Sequence, residues 1–415
     1  MSRPGQVRYE SFILRLCFLF AGQFSLYEGF QDWNRGRADL HPEVAVLTLL
    51  IYGASLFVIA LALMPNSTVF KFRNFPLVPL VLATLVSVYV VAEIAYRGSY
   101  RTDVLAFSQY AAVLVTRGLN PYTQDLTVAL SMFGVQPSDL TPLTSGSFLA
   151  TFQYPSLHFL IFVPFVLAGL RDMRWVLVAF ELGVIFLLLF KCPRNLRPML
   201  ILPLFAGSDL MINFTASSVS DMLWVLPLLL VAFNLDERPG LSGVFYGIAC
   251  AVKQPPWLLA PFLVIYLLRN RRFRTNHEKL RRVGIFLAPA LAVFTLVNLP
   301  FAIGDAAGWF RNIMTPISSD LIILSQGPAV LSQVGLVQVG RVFYSVLAVS
   351  VLIVLVANYY VYFEKLKYVV WILPGVILWF SYRALTSYVI YWMPLMLASL
   401  ILWYTAESQR PGRSR

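Results

Sequence analysis

Long apolar stretches separated by short polar or basic breaks run along most of the chain. About 20 apolar residues cross a bilayer as a helix, and fewer suffice where neighbouring helices shield the segment. On that reading, spans are predicted over 11–31, 44–64, 76–96, 175–190, 198–212, 222–235, 241–252, 256–268, 283–300, 341–363, 368–382 and 386–404. A further apolar piece, 152–170, is interrupted by Pro155 and Pro164. The pattern predicts an all-α polytopic membrane protein, a bundle of about 12 transmembrane helices forming a single integral domain over 1–415. No strong internal repeat and no low-complexity tract stands out.

Composition agrees. The 415 residues are 59% hydrophobic and 13% charged, against roughly 45–50% and about 25% in ordinary soluble domains. So much apolar surface does not fit inside one soluble core. Disordered, collagen-like and disulfide-rich classes are excluded. Three cysteines, Cys17, Cys192 and Cys250, form no metal or disulfide framework. The first apolar stretch lacks a small-residue cleavage site and reads as a true span rather than a signal peptide.

A net charge of +12 first suggests nucleic acid, but no compact basic domain accompanies it. No nucleic-acid partner is expected. Basic residues flanking apolar spans orient them toward the cytoplasm. Residues 269–282 hold seven basic residues and one acid, and form the predicted cytoplasmic loop. Lys71 and Arg73, Lys191 with Arg194 and Arg197, Lys365 and Lys367, and Arg410, Arg413 and Arg415 mark further inner segments. These assignments agree if 152–170 stays on the outer side without crossing. Then 97–174 is one long outer loop region and 301–340 a second. A competing topology makes 152–170 a full span and 241–268 a single one, at the cost of placing Lys191, Arg194 and Arg197 outside. Irregular backbone at membrane depth is tolerated where protein or a wet cavity surrounds it, so the proline breaks at 155, 164 and 255–256 suggest a cavity.

The first outer region carries the candidate chemistry. Asp103 precedes an amphipathic helix reaching about Arg117, which Gly118 and the Asn120-Pro121-Tyr122 turn end. A carboxylate at the head of an interfacial helix is placed to act as a general base. Thr102 and Asp103 are also good N-cap residues, and both readings stay open. Lys253, before Pro255-Pro256 at a break between two short apolar spans, is a candidate phosphate anchor. Its plainer reading is a lysine snorkelling to the interface. Arg97, Arg101 and Arg383 fall at outer span ends, where they suit phosphate binding or interfacial anchoring.

Four stretches together resemble a known family. Asp103 with its helix and Gly118-Leu119-Asn120-Pro121-Tyr122 is similar to the first outer loop of GT-C glycosyltransferases. The nearest likeness is to the family 87 group of polyprenyl-phosphate-sugar-dependent mannosyl- and arabinofuranosyltransferases. Phe152-Gln153-Tyr154-Pro155-Ser156-Leu157 is similar to that group's aromatic-Tyr-Pro-Pro-Leu stretch, with Ser156 in place of the second proline. Ser218-Val219-Ser220-Asp221 is similar to a Gly-Gln-x-Asn/Asp stretch but lacks its glycine and glutamine. Residues 247–256, from Gly247 through Lys253 to Pro256, resemble its Gly-x-Ala-x-Ala-x-Lys-x-x-Pro stretch closely. The resemblance covers about residues 75–300.

It implies a GT-C-like fold and an inverting transferase. A sugar would move from a polyprenyl-phosphate donor to a glycan, lipid or protein acceptor on the outer, periplasmic or lumenal face. Asp103 would be the base, with Lys253, Arg101 and Arg383 toward the donor phosphate. Asn120, Tyr122, Gln153, Tyr154, His158 and Asp221 would contact substrate. A multi-pass bacterial plasma-membrane protein in contact with membrane lipids is the expected setting. The alternative is a polytopic transporter or lipid-linked-sugar flippase, which inverted repeats would favour.

Other polar residues are weaker candidates. Glu28, Glu93, Glu181 and Asp209 are acids within predicted spans, and Glu181 lies near mid-span. His41, His158 and His277 show no ligand spacing. No DxD, HExxH, cysteine cluster, Walker loop or GxGxxG is present, so no tightly bound cofactor is expected, with a loosely held divalent ion left open. The sequons at Asn66 and Asn213 lie close to spans. Trp309, Arg311, Asp320, Gln326 and Gly327-Pro328 in the second outer region suit either a cover for the cavity or a plain connection.

Overall fold

The computed structural model describes residues 42–64, 98–193, 196–200, 214–270 and 275–408, with scattered residues 12, 15–16, 18–20, 22–23, 26–27 and 94. Predicted spans 11–31, 76–96 and most of 198–212 therefore lie largely outside the described residues. So do Glu28, Glu93, Asp209, Arg97, His41, Cys17, Asn66 and Asn213. The described residues are helical, and β pairing among them is confined to two isolated bridges.

The helices used below are α1 (Pro42–Leu63), α2 (Asp103–Thr116), α3 (Leu157–Leu160), α4 (Val163–Leu167), α5 (Arg174–Lys191), α6 (Met222–Asn234), α7 (Pro239–Val252), α8 (Ala260–Arg269), α9 (Asn276–Ala302), α10 (Ala306–Ile313), α11 (Arg341–Val361), α12 (Leu373–Trp379), α13 (Thr386–Ile390) and α14 (Met393–Ser408). Packing groups the chain into two units. One comprises Met1–Gly98, Glu181–Ala216 and Ile401–Arg415, and the other Ser99–Phe180 and Ser217–Leu400.

Three described stretches are long and apolar enough to cross a membrane: Asn276–Ala302, Arg341–Val361 and Thr386–Ala406. On the first two, most apolar side chains face outward. Leu291, Leu296 and Leu299 on α9 and Val346, Ile353 and Val354 on α11 are all exposed. A soluble protein rarely leaves such continuous apolar surface uncovered. The described residues are accordingly all-helical, and the three long apolar helices mark a membrane-associated protein. α2, α6, α7, α8 and the 157–167 piece are apolar but shorter.

The span predicted over 368–382 is broken into a 3₁₀ turn, Lys367–Trp371, and α12. Pro374 restarts the helix because it lacks an N–H for the preceding turn. Residues 380–385 then leave the helix, and the Tyr382 and Ala384 carbonyls accept from Leu324 N–H (3.2 Å) and Gln326 N–H (2.8 Å). The 152–170 piece forms only the short α3 and α4. An 11-residue helix would reach about 16 Å, half of the roughly 30 Å hydrocarbon core.

The second unit is built around α7. Gly243 and Gly247 face α9, where an added Cβ would fall 2.1 Å from the Phe286 carbonyl oxygen and 2.5 Å from that of Ala290. Glycines four apart give two helices backbone-to-backbone approach. α9 itself opens with a capping box: Thr275 Oγ1 accepts from Glu278 N–H, and the Glu278 carboxylate accepts from Thr275 N–H. Beyond the C-termini of α6 and α8, Asp236 gathers Tyr266 Oη (3.1 Å), Asn270 Nδ2 (2.9 Å) and, on its carbonyl, Arg282 Nη1 (3.0 Å). Lys367 Nζ lies 3.8 Å away. The starts of α6 and α8 hold a different cluster.

Candidate functional site

α7 stops at Val252 because Pro255 and Pro256 cannot continue it. Lys253 is extended (φ −155°, ψ 161°), and an irregular turn leads on to α8. Its ammonium donates to Asp221 Oδ2 at 2.9 Å, and Trp224 Nε1 donates to Asp221 Oδ1 at 2.6 Å. The pair is almost sealed, with side-chain exposures of 6% and 1%. Lys253 Nζ also lies over the rings of Tyr154 (5.1 Å) and Tyr388 (6.0 Å). Burial, the largest influence, pulls the ammonium down, but the Asp221 carboxylate together with Tyr154 and Tyr388 outweighs it and holds Lys253 above its ordinary range. Lys253 is a fixed charge.

Asp103 is the first residue of α2, with Thr102 at the N-cap position. The Thr102 hydroxyl makes no cap bond and donates instead to the Ser218 carbonyl at 2.9 Å. The buried Asp103 carboxylate accepts from Thr141 N–H at 2.7 Å and is also held by the first-turn N–H of Val104. It therefore serves the helix start and a distant loop together. Burial pushes its pKa up, and the bonds from Thr141 and the charge of Arg383 offset this only in part. Arg383 Nη1 is itself buried without a hydrogen-bond partner. Asp103, Asp221, Lys253 and Tyr388 all act electrostatically on Tyr154, so these groups and Arg383 form one cluster.

The other predicted site residues divide. Arg101 is exposed, and the cation acting on Asp103 is Arg383. Asn120 caps the Pro121–Thr123 turn by accepting from Tyr122 N–H (3.1 Å) and donates to the Phe301 carbonyl (2.9 Å). Tyr122 Oη donates to the Tyr154 carbonyl at 2.6 Å and meets Ser156 Oγ at 3.2 Å. Ser156 N–H in turn donates to Asn298 Oδ1 on α9 (2.8 Å). Gln153 offers its carbonyl to Gln254 Nε2 (2.7 Å), which also reaches the Ile313 carbonyl. His158 is fully buried, with both ring nitrogens engaged. Asn120, Tyr122 and His158 thus spend their polar groups on the fold. Asp103, Tyr154, Lys253 and Arg383 keep capacity for a ligand.

Sequence reasoning did not single out Trp224 or Tyr388. Trp224 follows Asp221 by one helical turn, a spacing that would have flagged it. For Tyr388 no signal exists. Ser218 has φ +76°, the one non-glycine residue with positive φ among those described. Glycine is the residue that adopts this conformation freely, and a serine holds it here.

The segment 320–326 runs past both flanks of the cluster. Leu321 pairs with Leu143, and Thr144 N–H donates to the Asp320 carbonyl at 2.8 Å, beside the Thr141 contact of Asp103. Its other end bonds the residues on either side of Arg383, as described above. Asp320 is held by Arg341. At Gly327 an added Cβ would fall 1.8 Å from the Trp379 carbonyl oxygen, so this strap closes tightly on α12. Trp309 Nε1 is buried without a hydrogen bond of its own. In the first unit, Glu181 is buried on α5 with Thr215 facing it. No three His, Cys, Asp or Glu side chains gather among the described residues.

No protein-family model, curated protein or solved structure matches the chain.

Proposed function

We propose that the chain is a GT-C-like membrane glycosyltransferase with about 12 spans. It moves a sugar from a polyprenyl-phosphate donor to a glycan, lipid or protein acceptor, with the Lys253 end facing the periplasm or lumen. The observation that supports this is a buried carboxylate with a raised pKa, Asp103, in one cluster with the cations Arg383 and Lys253. A raised carboxyl is a better proton acceptor near neutral pH than an ordinary one.

The acceptor hydroxyl gives its proton to Asp103. Its oxygen forms a bond to the anomeric carbon as the bond from that carbon to the phosphate oxygen breaks. The electron pair leaves with the polyprenyl phosphate, which gains one negative charge, and the configuration inverts. Arg383 Nη1, unpaired and buried, is the first group to meet that charge. Lys253, already shared with Asp221, adds its field across Tyr154. Phosphate is a good leaving group, so a second carboxylate acting as acid, as in glycoside hydrolysis, is unnecessary. Arg101, outside the cluster, takes no part.

Purified protein given polyprenyl-phosphate mannose or arabinofuranose and a cell-envelope lipid and glycan extract tests this. The expected result is a glycosylated product with release of polyprenyl phosphate. Movement of intact donor across vesicle membranes without any transfer would replace this reading by a flippase.

A further inference from the structure

We propose that His158 is a positioning residue, a clamp that sets the Lys253–Asp221 ion pair by holding the residue before each partner. His158 Nδ1 lies 3.0 Å from the Val252 carbonyl oxygen, and Nε2 lies 2.9 Å from Ser220 Oγ. A carbonyl oxygen only accepts, so Nδ1 carries the proton. Nε2 then accepts from the Ser220 hydroxyl, and the ring is neutral with both nitrogens satisfied.

Val252 immediately precedes Lys253, and Ser220 immediately precedes Asp221. One imidazole thus spans the two backbone positions whose side chains meet at 2.9 Å. A histidine that merely satisfies itself in a core has no reason to choose those two neighbours. Its faces are held as well. The ring stacks on Tyr154 at 4.5 Å and 19°, and Phe152 lies edge-on at 6.1 Å. Tyr154 is the ring over which Lys253 Nζ sits. The α6 start, the α7 end and the Tyr154 loop, three segments far apart in sequence, therefore meet on this side chain. His158, Ser220 and Ser218 are all fully buried.

The catalytic consequence rests on the transferase reading: a loosened clamp would lower kcat and kcat/KM for sugar transfer together, because Lys253 acts on charge that develops as the phosphate leaves. The clamp itself is tested without any donor. Full-length protein in detergent is labelled with acetic anhydride, and the rates at Lys253 and Lys367 are compared by peptide mass spectrometry. Wild-type Lys253 should react slowest. His158→Ala should raise the Lys253 rate about tenfold and leave Lys367 unchanged. His158→Asn, whose side-chain N–H can keep the Val252 arm, should fall between them, as should Ser220→Ala, which cuts only the other arm. An unchanged Lys253 rate in folded His158→Ala overturns the clamp, as does an equal rise at both lysines. If His158→Ala does not fold, Ser220→Ala decides: a selective rise at Lys253 supports the clamp and no rise overturns it. Absence of transfer by wild-type protein would sink the transferase reading and leave this result intact.

Discussion

The two ends of α6 and α8 each hold an aspartate facing a lysine, and the two pairs are built differently. At one end, Asp221 and Lys253 meet at 2.9 Å, with side-chain exposures of 1% and 6%. At the other, Asp236 and Lys367 stand 3.8 Å apart, with exposures of 41% and 22%. Asp236 is closed off chemically, since Tyr266, Asn270 and Arg282 take up its oxygens. Around Lys253, burial is deeper while satisfaction is poorer, with Arg383 Nη1 unpaired and Asp103 pushed toward protonation. Partly satisfied charge in a buried place is costly and marks a site. The Asp236 end is partly exposed and its charge is satisfied within the fold.

That contrast fixes the order of effects on mutation. Lys253→Met should destabilise the protein by about 3–5 kcal/mol, because it leaves a buried carboxylate unpaired. The double variant Lys253→Met/Asp221→Asn should regain most of that loss, and denaturant titration in detergent measures both. If the single variant is nearly neutral, the two ends are not different in kind. Gly243→Val should cost about 1–3 kcal/mol through overlap with α9, read by the same titration. Ser218→Gly should stabilise by about 1 kcal/mol, since only the strain of a positive φ is relieved. A loss of stability there would mean the Ser218 side chain contributes more than the backbone suggests. Lys367→Ala should change stability by less than about 1 kcal/mol, because its ion pair with Asp236 is long, at 3.8 Å, and partly exposed. A loss as large as at Lys253 would erase the comparison.

Much of the helical framework was legible in the sequence because apolar run length alone sets it. The stretches predicted over 44–64, 175–190, 222–235 and 241–252 coincide as helices with α1, α5, α6 and α7 to within a few residues. The break after Val252 was legible too, since two consecutive prolines stop a helix whatever surrounds them. The loss of helix after Trp379 was not, because the backbone there bonds to residues 324–326, a pairing no local pattern records. Charges stand out in an apolar chain, so Asp103, Asp221, Lys253 and Arg383 could be named in advance. Trp224 could have been, from its place one helical turn after Asp221, but Tyr388 could not, because 15% of this chain is aromatic and such residues carry no mark of their own.

The central claim is that Asp103 takes the acceptor proton, and the pH dependence of kcat/KM for sugar transfer tests it most directly. Burial raises the Asp103 pKa, so the wild-type rate should climb with pH as the carboxyl ionises. The midpoint should lie above the ordinary aspartate value of about 3.9. Asp103→Asn should lose that limb and fall by about 10²–10⁴-fold at neutral pH. A folded Asp103→Asn variant that transfers sugar at the wild-type rate, with the same limb, would contradict the account.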